Sequence, residues 1–251
     1  MAKKISPITV AGWIIIVISL VAFTVNDLIT IPRIEEWYKG YQTILSGAQQ
    51  YIANLSNKWI ILLVIFALFI IKSMSPVPLF PVSFICVLTS LVFTPAISLI
   101  IEIIGFILLF SSKYFLGRKR GGGVAEKFLT NYSKVWEKLE YRGEGNPWLL
   151  LVFRAIPVVP INSVSSIYGS FKTNYFKYLI ISLAGFSPRL LPYTMIGQNV
   201  FDPLSSAFIT PIASLLMLTG LSMVGGQSLI SYIFNSKNAD RDISENAENI
   251  N

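Results

Sequence analysis

The chain has 251 residues, 53% of them hydrophobic and 13% charged, with a formal net charge of +7 and a mean hydropathy of +0.63. That balance excludes an ordinary water-soluble domain, and because the basic residues sit beside apolar segments the positive-inside rule explains the charge without nucleic acid. With no histidine and a single cysteine, Cys86, the chain lacks the usual metal ligands, the base of Ser-His chemistry and any internal disulfide.

Residues 8–25 form the first apolar run, long enough for one helix and preceded by Lys3 and Lys4. Val21-Ala22-Phe23-Thr24 offers no small-x-small cleavage site, so this reads as an uncleaved span with a cytoplasmic N-terminus. Residues 28–57 set Ile31, Ile34, Trp37, Tyr41, Ile44 and Leu45 at three- and four-residue steps among Arg33, Glu35, Glu36 and Lys39. That spacing describes an amphipathic helix along the outer interface, or a loop with helical turns, and residues 1–58 are read as one N-terminal unit.

Residues 59–71 are apolar but short, and Pro76, Pro78 and Pro81 end the helix. Residues 82–93 resume as apolar sequence, and Thr94-Pro95 restarts the chain into a long span, 96–116, that contains Glu102. Arg118, Lys119 and Arg120 close it. From 113 to 144 eight basic side chains face four acidic ones, which marks this loop as cytoplasmic. The Gly121-Gly122-Gly123 run in it is a turn, since neither a strand nor a P-loop lysine frames it.

Residues 148–168 could cross a bilayer by length, yet they carry Arg154, Pro157 and Pro160. Each proline lacks an amide hydrogen and crowds the carbonyl one turn back, so the helix should break at 157–160. The backbone groups this frees are tolerated at membrane depth only where protein or trapped water covers them. The segment therefore reads as a re-entrant hairpin facing a wet cavity, with Arg154 near its tip. Residues 175–196 give a span containing Pro188-Arg189, a last span lies within 201–235, and the polar tail 236–251 is read as disordered.

Within the core, 59–200, an internal echo appears. Pro78 and Pro81 share the spacing of Pro157 and Pro160, and the same offset pairs Ser90 with Gly169, Thr94 with Thr173 and, within one residue, Gly105 with Gly185. The expected fold is an all-α polytopic membrane bundle in which two opposed re-entrant Pro-x-x-Pro hairpins, related as an inverted repeat, meet tip to tip near the midplane. Pro78, Pro81, Pro157, Pro160 and Gly169 are its structural residues.

Three ionisable groups, Glu102, Arg154 and Arg189, lie in otherwise uncharged segments. A charge at a helix centre costs about 2.5–3.5 kcal/mol on insertion scales, so each marks a candidate site. Arg154 is either an anchor for phosphate, which its planar fork of donors suits, or a cap on broken backbone carbonyls or a partner of Glu102. Asn162 holds freed amides or touches a headgroup. Glu102 is a protonatable switch or a structural counter-ion, and Arg189 calls for an internal partner, with Glu102 the carboxylate at comparable depth. No nucleophile with a base stands out around Ser163, Ser165 and Ser166, so neither an enzyme nor a cofactor is expected.

These residues resemble a known family. Phe153-Arg154-x-x-Pro157-x-x-Pro160-x-Asn162 with Gly169, and Gly105 with Tyr114, Gly117 and Arg118, are similar to the VTT-domain superfamily, which includes bacterial DedA proteins and SNARE-associated Golgi (Tvp-type) membrane proteins. The similarity runs over about residues 74–197. It implies two opposed re-entrant hairpins in a helical bundle and lipid translocation, as a phospholipid scramblase or a flippase for polyprenyl-phosphate carriers. Arg154 matches the family arginine before the second Pro-x-x-Pro, and Pro78 and Pro81 match the first. DedA relatives carry acidic residues near the first hairpin, whereas residues 72–93 here have none, and Thr89-Ser90 stands where Ala-Gly is usual. Those departures favour the Tvp-type branch. The expected partners are membrane lipids with anionic headgroups, and self-association stays open. Two other functions remain at this stage: an ion or small-solute secondary carrier of the same architecture, and a non-transporting membrane organiser.

Overall fold

Apolar runs punctuated by proline and asparagine become helices with sharp ends. A computed structural model of the chain describes residues 7–28, 38–41, 46–47, 50, 52, 57–75, 80–120, 140–141, 144–157 and 159–225. Pro78, most of the interfacial segment 28–57, residues 121–139 of the basic loop and the tail 236–251 lie outside them.

Helix α1, Pro7–Leu28, opens on a proline, which suits a first-turn position. Helix α2, Lys58–Met74, stops where Ser75 turns extended ahead of Pro76. Helix α3, Val82–Val92, starts after Pro81 and ends at an extended Phe93. Helix α4, Pro95–Arg120, again has proline at its first position. A two-residue antiparallel pairing of β1, Glu140–Tyr141, with β2, Glu144–Gly145, precedes α5, Pro147–Ala155. Asn146 caps α5 by accepting from the amides of Trp148 and Leu149. That helix ends at an extended Ile156 before Pro157, and α6, Ile161–Ser170, begins after Pro160. Helix α7, Tyr175–Gln198, is capped by Asn174. It runs through Pro188 unbroken, and Ser187 Oγ donates at 2.8 Å to the Ala184 carbonyl that Pro188 leaves unbonded. Helix α8 is Ser206–Gly225.

Four stretches are long and apolar enough to cross a membrane: Pro7–Thr24, Pro95–Lys119, Tyr175–Gln198 and Ser206–Gly225. This is an all-helical membrane bundle, apart from the short β pairing. Its outer surface carries Trp59, Trp148 and Phe176 at 71–77% exposure, while Phe69, Phe106, Phe110, Tyr114, Tyr168, Tyr178 and Phe186 fill the interior. An apolar exterior around an apolar core fits a hydrocarbon solvent.

The long helices α4 and α7 pack against each other, α2 lies on α4 and α5 on α7, and the short helices cross over, α3 onto α7 and α6 onto α4. Helices α1 and α8 pair separately. Gly12 and Gly220 meet there so closely that a Cβ on Gly220 would lie 2.9 Å from the Gly12 carbonyl, and Ser19 Oγ donates to the Ala213 carbonyl at 2.7 Å.

The two ends of the segment from Asn146 to Thr173 lie side by side. Tyr168 Oη donates to Asn146 O at 2.5 Å, and the Gly145 amide donates to Thr173 Oγ1 at 3.1 Å. On α4, Tyr114 Oη bonds the Thr173 carbonyl while its neighbour Lys113 Nζ donates to Ser75 O at 2.7 Å. Two consecutive residues of α4 thus reach the base of the second broken segment and the tip of the first. Helix α2, at 17 residues, is nearly twice as long as α5, at 9.

Candidate functional site

Arg154 ends α5 one turn before the break and is 1% exposed. Its Nη1 donates to the Ile161 carbonyl at 3.1 Å, and its Nη2 donates to Ser165 Oγ at 2.7 Å and Tyr178 Oη at 2.8 Å. The guanidinium plane lies 4.1 Å from the Phe110 ring centroid. One side chain thereby ties α5 to α6 and α7 through bonds and to α4 through a cation–π contact. Its Nε is buried without a hydrogen-bond partner.

Arg189, on α7, sends Nη1 toward the carbonyls of Arg154 at 3.5 Å and Ile156 at 3.3 Å. These are backbone groups at the carboxyl end of α5, where a helix leaves acceptors unpaired and its dipole favours a cation. The Arg189 group sits 4.8 Å over Phe186, and its Nε too has no partner. Glu102, on α4, is fully buried. Its Oε2 accepts from Thr194 Oγ1 at 2.8 Å and its Oε1 has no partner.

Among the described residues neither arginine bonds to Glu102, which corrects the expected pairing of that carboxylate with Arg154 or Arg189. For Arg154 the reason is an intervening aromatic layer. Phe106 meets Phe186 at 4.3 Å between ring centroids, one turn along α4 from Glu102 and one turn short of Phe110, on which Arg154 rests. Two helical turns, about 11 Å, then separate the levels of Glu102 and Arg154. Arg189 is satisfied instead by backbone oxygen.

Asn162 is half-buried in the first turn of α6 and stands outside the bond set of Arg154. Pro157 lies in the turn of the second break, while Pro160 and Pro81 cap α6 and α3. Gly169 faces α4 so closely that an added Cβ would lie 2.0 Å from the Tyr114 carbonyl oxygen, and Gly117 in return faces Ser166, with a Cβ 2.1 Å from its carbonyl oxygen. Gly185 does the same for α5, since its Cβ would meet Leu151 O at 2.6 Å and Arg154 Cβ at 2.8 Å.

Sequence reasoning missed the groups that surround the charges. Ser165, Tyr178 and Phe110 hold Arg154, Thr194 holds Glu102, and none is marked as a ligand by spacing alone. Lys72 and Lys113 were also missed. Lys72 Nζ donates to the Phe80 carbonyl across the first break, and both lysines are buried. A signal existed for Lys72, which precedes Pro76 by one turn much as Arg154 precedes Pro157.

No curated protein and no solved structure matches the chain significantly. Residues 80–199, which span α3 through α7 and hold Glu102, Arg154 and Arg189, match the family model of the VTT domain, so the chain carries a VTT domain among helices long and apolar enough to cross a membrane several times.

Proposed function

We propose that this protein is a lipid transporter of the cell membrane, scramblase- or flippase-like and not an enzyme, in which an anionic phospholipid or polyprenyl-phosphate headgroup travels through the polar interior while its tails stay in the bilayer. The observation that carries this reading is the set of buried polar atoms without hydrogen-bond partners: Glu102 Oε1, Arg154 Nε, Ser182 Oγ and Arg189 Nε. Unspent polar atoms are costly in a dry interior, and they gather on α4, α5 and α7 around helices too short to span. Two guanidinium groups among them suit phosphate oxygens. A headgroup reaching Arg154 must displace the hydroxyls of Ser165 and Tyr178, so the present arrangement is the closed one. Asn162, at the start of α6, lies where the same headgroup would be touched.

The re-entrant and repeated architecture belongs to this proposal, and the glycines support it. On α4, Gly105 receives Phe69 of α2, its own half's leading helix, and Gly117 receives α6 of the other half. On α7, Gly185 receives α5, again its own half's leading helix, and Gly197 receives Ser90 of α3 from the other half. The same exchange of short helices between two long ones is what an inverted pair of hairpins produces. In this reading the N-terminus and the 113–144 loop face the cytoplasm, where their lysines and arginines are favoured.

The test is lipid movement in vesicles. Purified protein reconstituted with a headgroup-labelled phospholipid, or with a polyprenyl phosphate, is expected to equilibrate the two leaflets faster than protein-free vesicles. Arg154→Met, compared at equal monodisperse incorporation, should slow this by about tenfold or more, the loss expected for one charge-assisted contact to phosphate. Wild-type rates equal to those of empty vesicles would overturn the transport reading, and equal rates for the variant would remove Arg154 from it.

A further inference from the structure

The two broken helices are held by the same device, although their sequences differ. In the second half, Arg154, from the end of the leading helix α5, reaches across the interruption to the Ile161 carbonyl at the start of the returning helix. Arg189, from the long helix α7, takes the Arg154 and Ile156 carbonyls at the end of the leading helix. In the first half, Lys72, from the end of α2, reaches across the interruption to the Phe80 carbonyl, with its ammonium 5.3 Å from the Phe80 ring centroid. Lys113, from the long helix α4, takes the Ser75 carbonyl at the end of α2 at 2.7 Å. Lys72 is 8% exposed and Lys113 3%, so each charge has left solvent to make these bonds.

The physical need is the same in both places. A helix cut short in an apolar medium exposes its last carbonyls and the negative end of its dipole, and the chain beyond the cut has carbonyls with no ladder to join. A cation supplies several donors at once where neutral side chains supply one. Two cations per break, one from each side of it, therefore fix the angle between leading and returning helix.

We infer that Lys72 and Lys113 are the positioning residues of the first break, a carbonyl clamp equivalent to Arg154 and Arg189, and that they seat α3 between α4 and α7. This inference concerns how the fold is held and does not depend on lipid transport. Lys72 and Lys113 donate to the Phe80 and Ser75 carbonyls, a task within reach of an ammonium, whereas Arg154 serves Ile161, Ser165 and Tyr178 together and needs the guanidinium fork.

The chain carries its own reporter. Cys86 is its single cysteine, lies on α3 four residues past the start of that helix, and is fully buried. Its reaction with a membrane-permeant maleimide, measured on the full chain in membranes, reads the seating of α3. Lys72→Met and Lys113→Met keep the apolar stem but lose the donors, and each should speed Cys86 labelling by about tenfold or more, as expected when local opening no longer breaks a charge-assisted bond. Lys72→Arg and Lys113→Arg should stay within about twofold of wild type. Labelling of both methionine variants at the wild-type rate would overturn the inference. So would arginine variants that label as fast as the methionine ones, since that would mean the bonds to the carbonyls are not what seats α3. Accumulation in the membrane is read in parallel, and recovery by arginine but not by methionine supports the clamp there too.

Discussion

Gly169→Ala is expected to abolish the folded protein or to cost it more than about 3 kcal/mol, although it adds only one carbon. Helix α6 lies against α4 with backbone on backbone. The new Cβ would sit 2.0 Å from the Tyr114 carbonyl oxygen, 2.9 Å from its carbon and 3.0 Å from the Arg118 amide nitrogen. None of these is a side-chain end that can swing away. The opposing contact is equally close, since Gly117 presents its own missing Cβ to the Ser166 carbonyl, so the helices cannot separate on one side without losing the fit on the other. Moving α6 outward would also pull Ser165 from Arg154 and Tyr168 from Asn146. Gly40→Ala is the control, because a carbon added there meets nothing within 4 Å. Monodispersity and the thermal midpoint in detergent check the pair: Gly40→Ala should match wild type, and Gly169→Ala should aggregate or melt far lower.

Arg154 gives the second large effect, and the order of its variants is the informative part. A residue needed only for its positive charge would tolerate lysine best. Here the guanidinium meets three acceptors in two directions with its central carbon 4.1 Å from the Phe110 ring centroid, and no described carboxylate neutralises it. Lysine would keep a buried charge while reaching fewer acceptors and losing the planar stack. Methionine would lose the bonds but also remove the charge, and the abandoned hydroxyls keep partners, since Ser165 donates to Ile161 O at 3.0 Å and Tyr178 to Phe110 O at 3.3 Å. Arg154→Lys is therefore expected to lower the thermal midpoint more than Arg154→Met, with both losing about 2–4 kcal/mol. A lysine variant as stable as wild type would show that charge alone is what the position requires.

The breaks in the helices are legible in the sequence because proline acts locally. A missing amide hydrogen at Pro157 or Pro81 disrupts its own turn whatever the rest of the chain does. The importance of Gly169 is also legible, through the offset that pairs it with Ser90, but its cause is not, since the carbonyl of Tyr114 that excludes a Cβ lies on another helix. Arg154 stands out by being charged in an apolar run. Its ligand Tyr178, 24 residues on, looks like any aromatic residue of a membrane span. Placing Glu102 with Arg154 fails for a related reason. Depth along a span says how far a group lies from the surface and nothing about the Phe106–Phe186 layer that intervenes. Helix α2 runs through Lys72 to Met74, past the apolar limit of residue 71, because Lys72 finds the Phe80 carbonyl inside the protein.

The account rests on the 146–173 segment turning back to the face it came from, and sidedness of labelling tests this most directly. Cysteines placed singly at Trp148 and Lys177, both exposed and at the starts of α5 and α7, are probed with an impermeant maleimide from one face of sealed vesicles and then the other. Both positions are expected to react from the same face, whereas reaction from opposite faces would mean that the segment crosses the membrane once and would contradict the account.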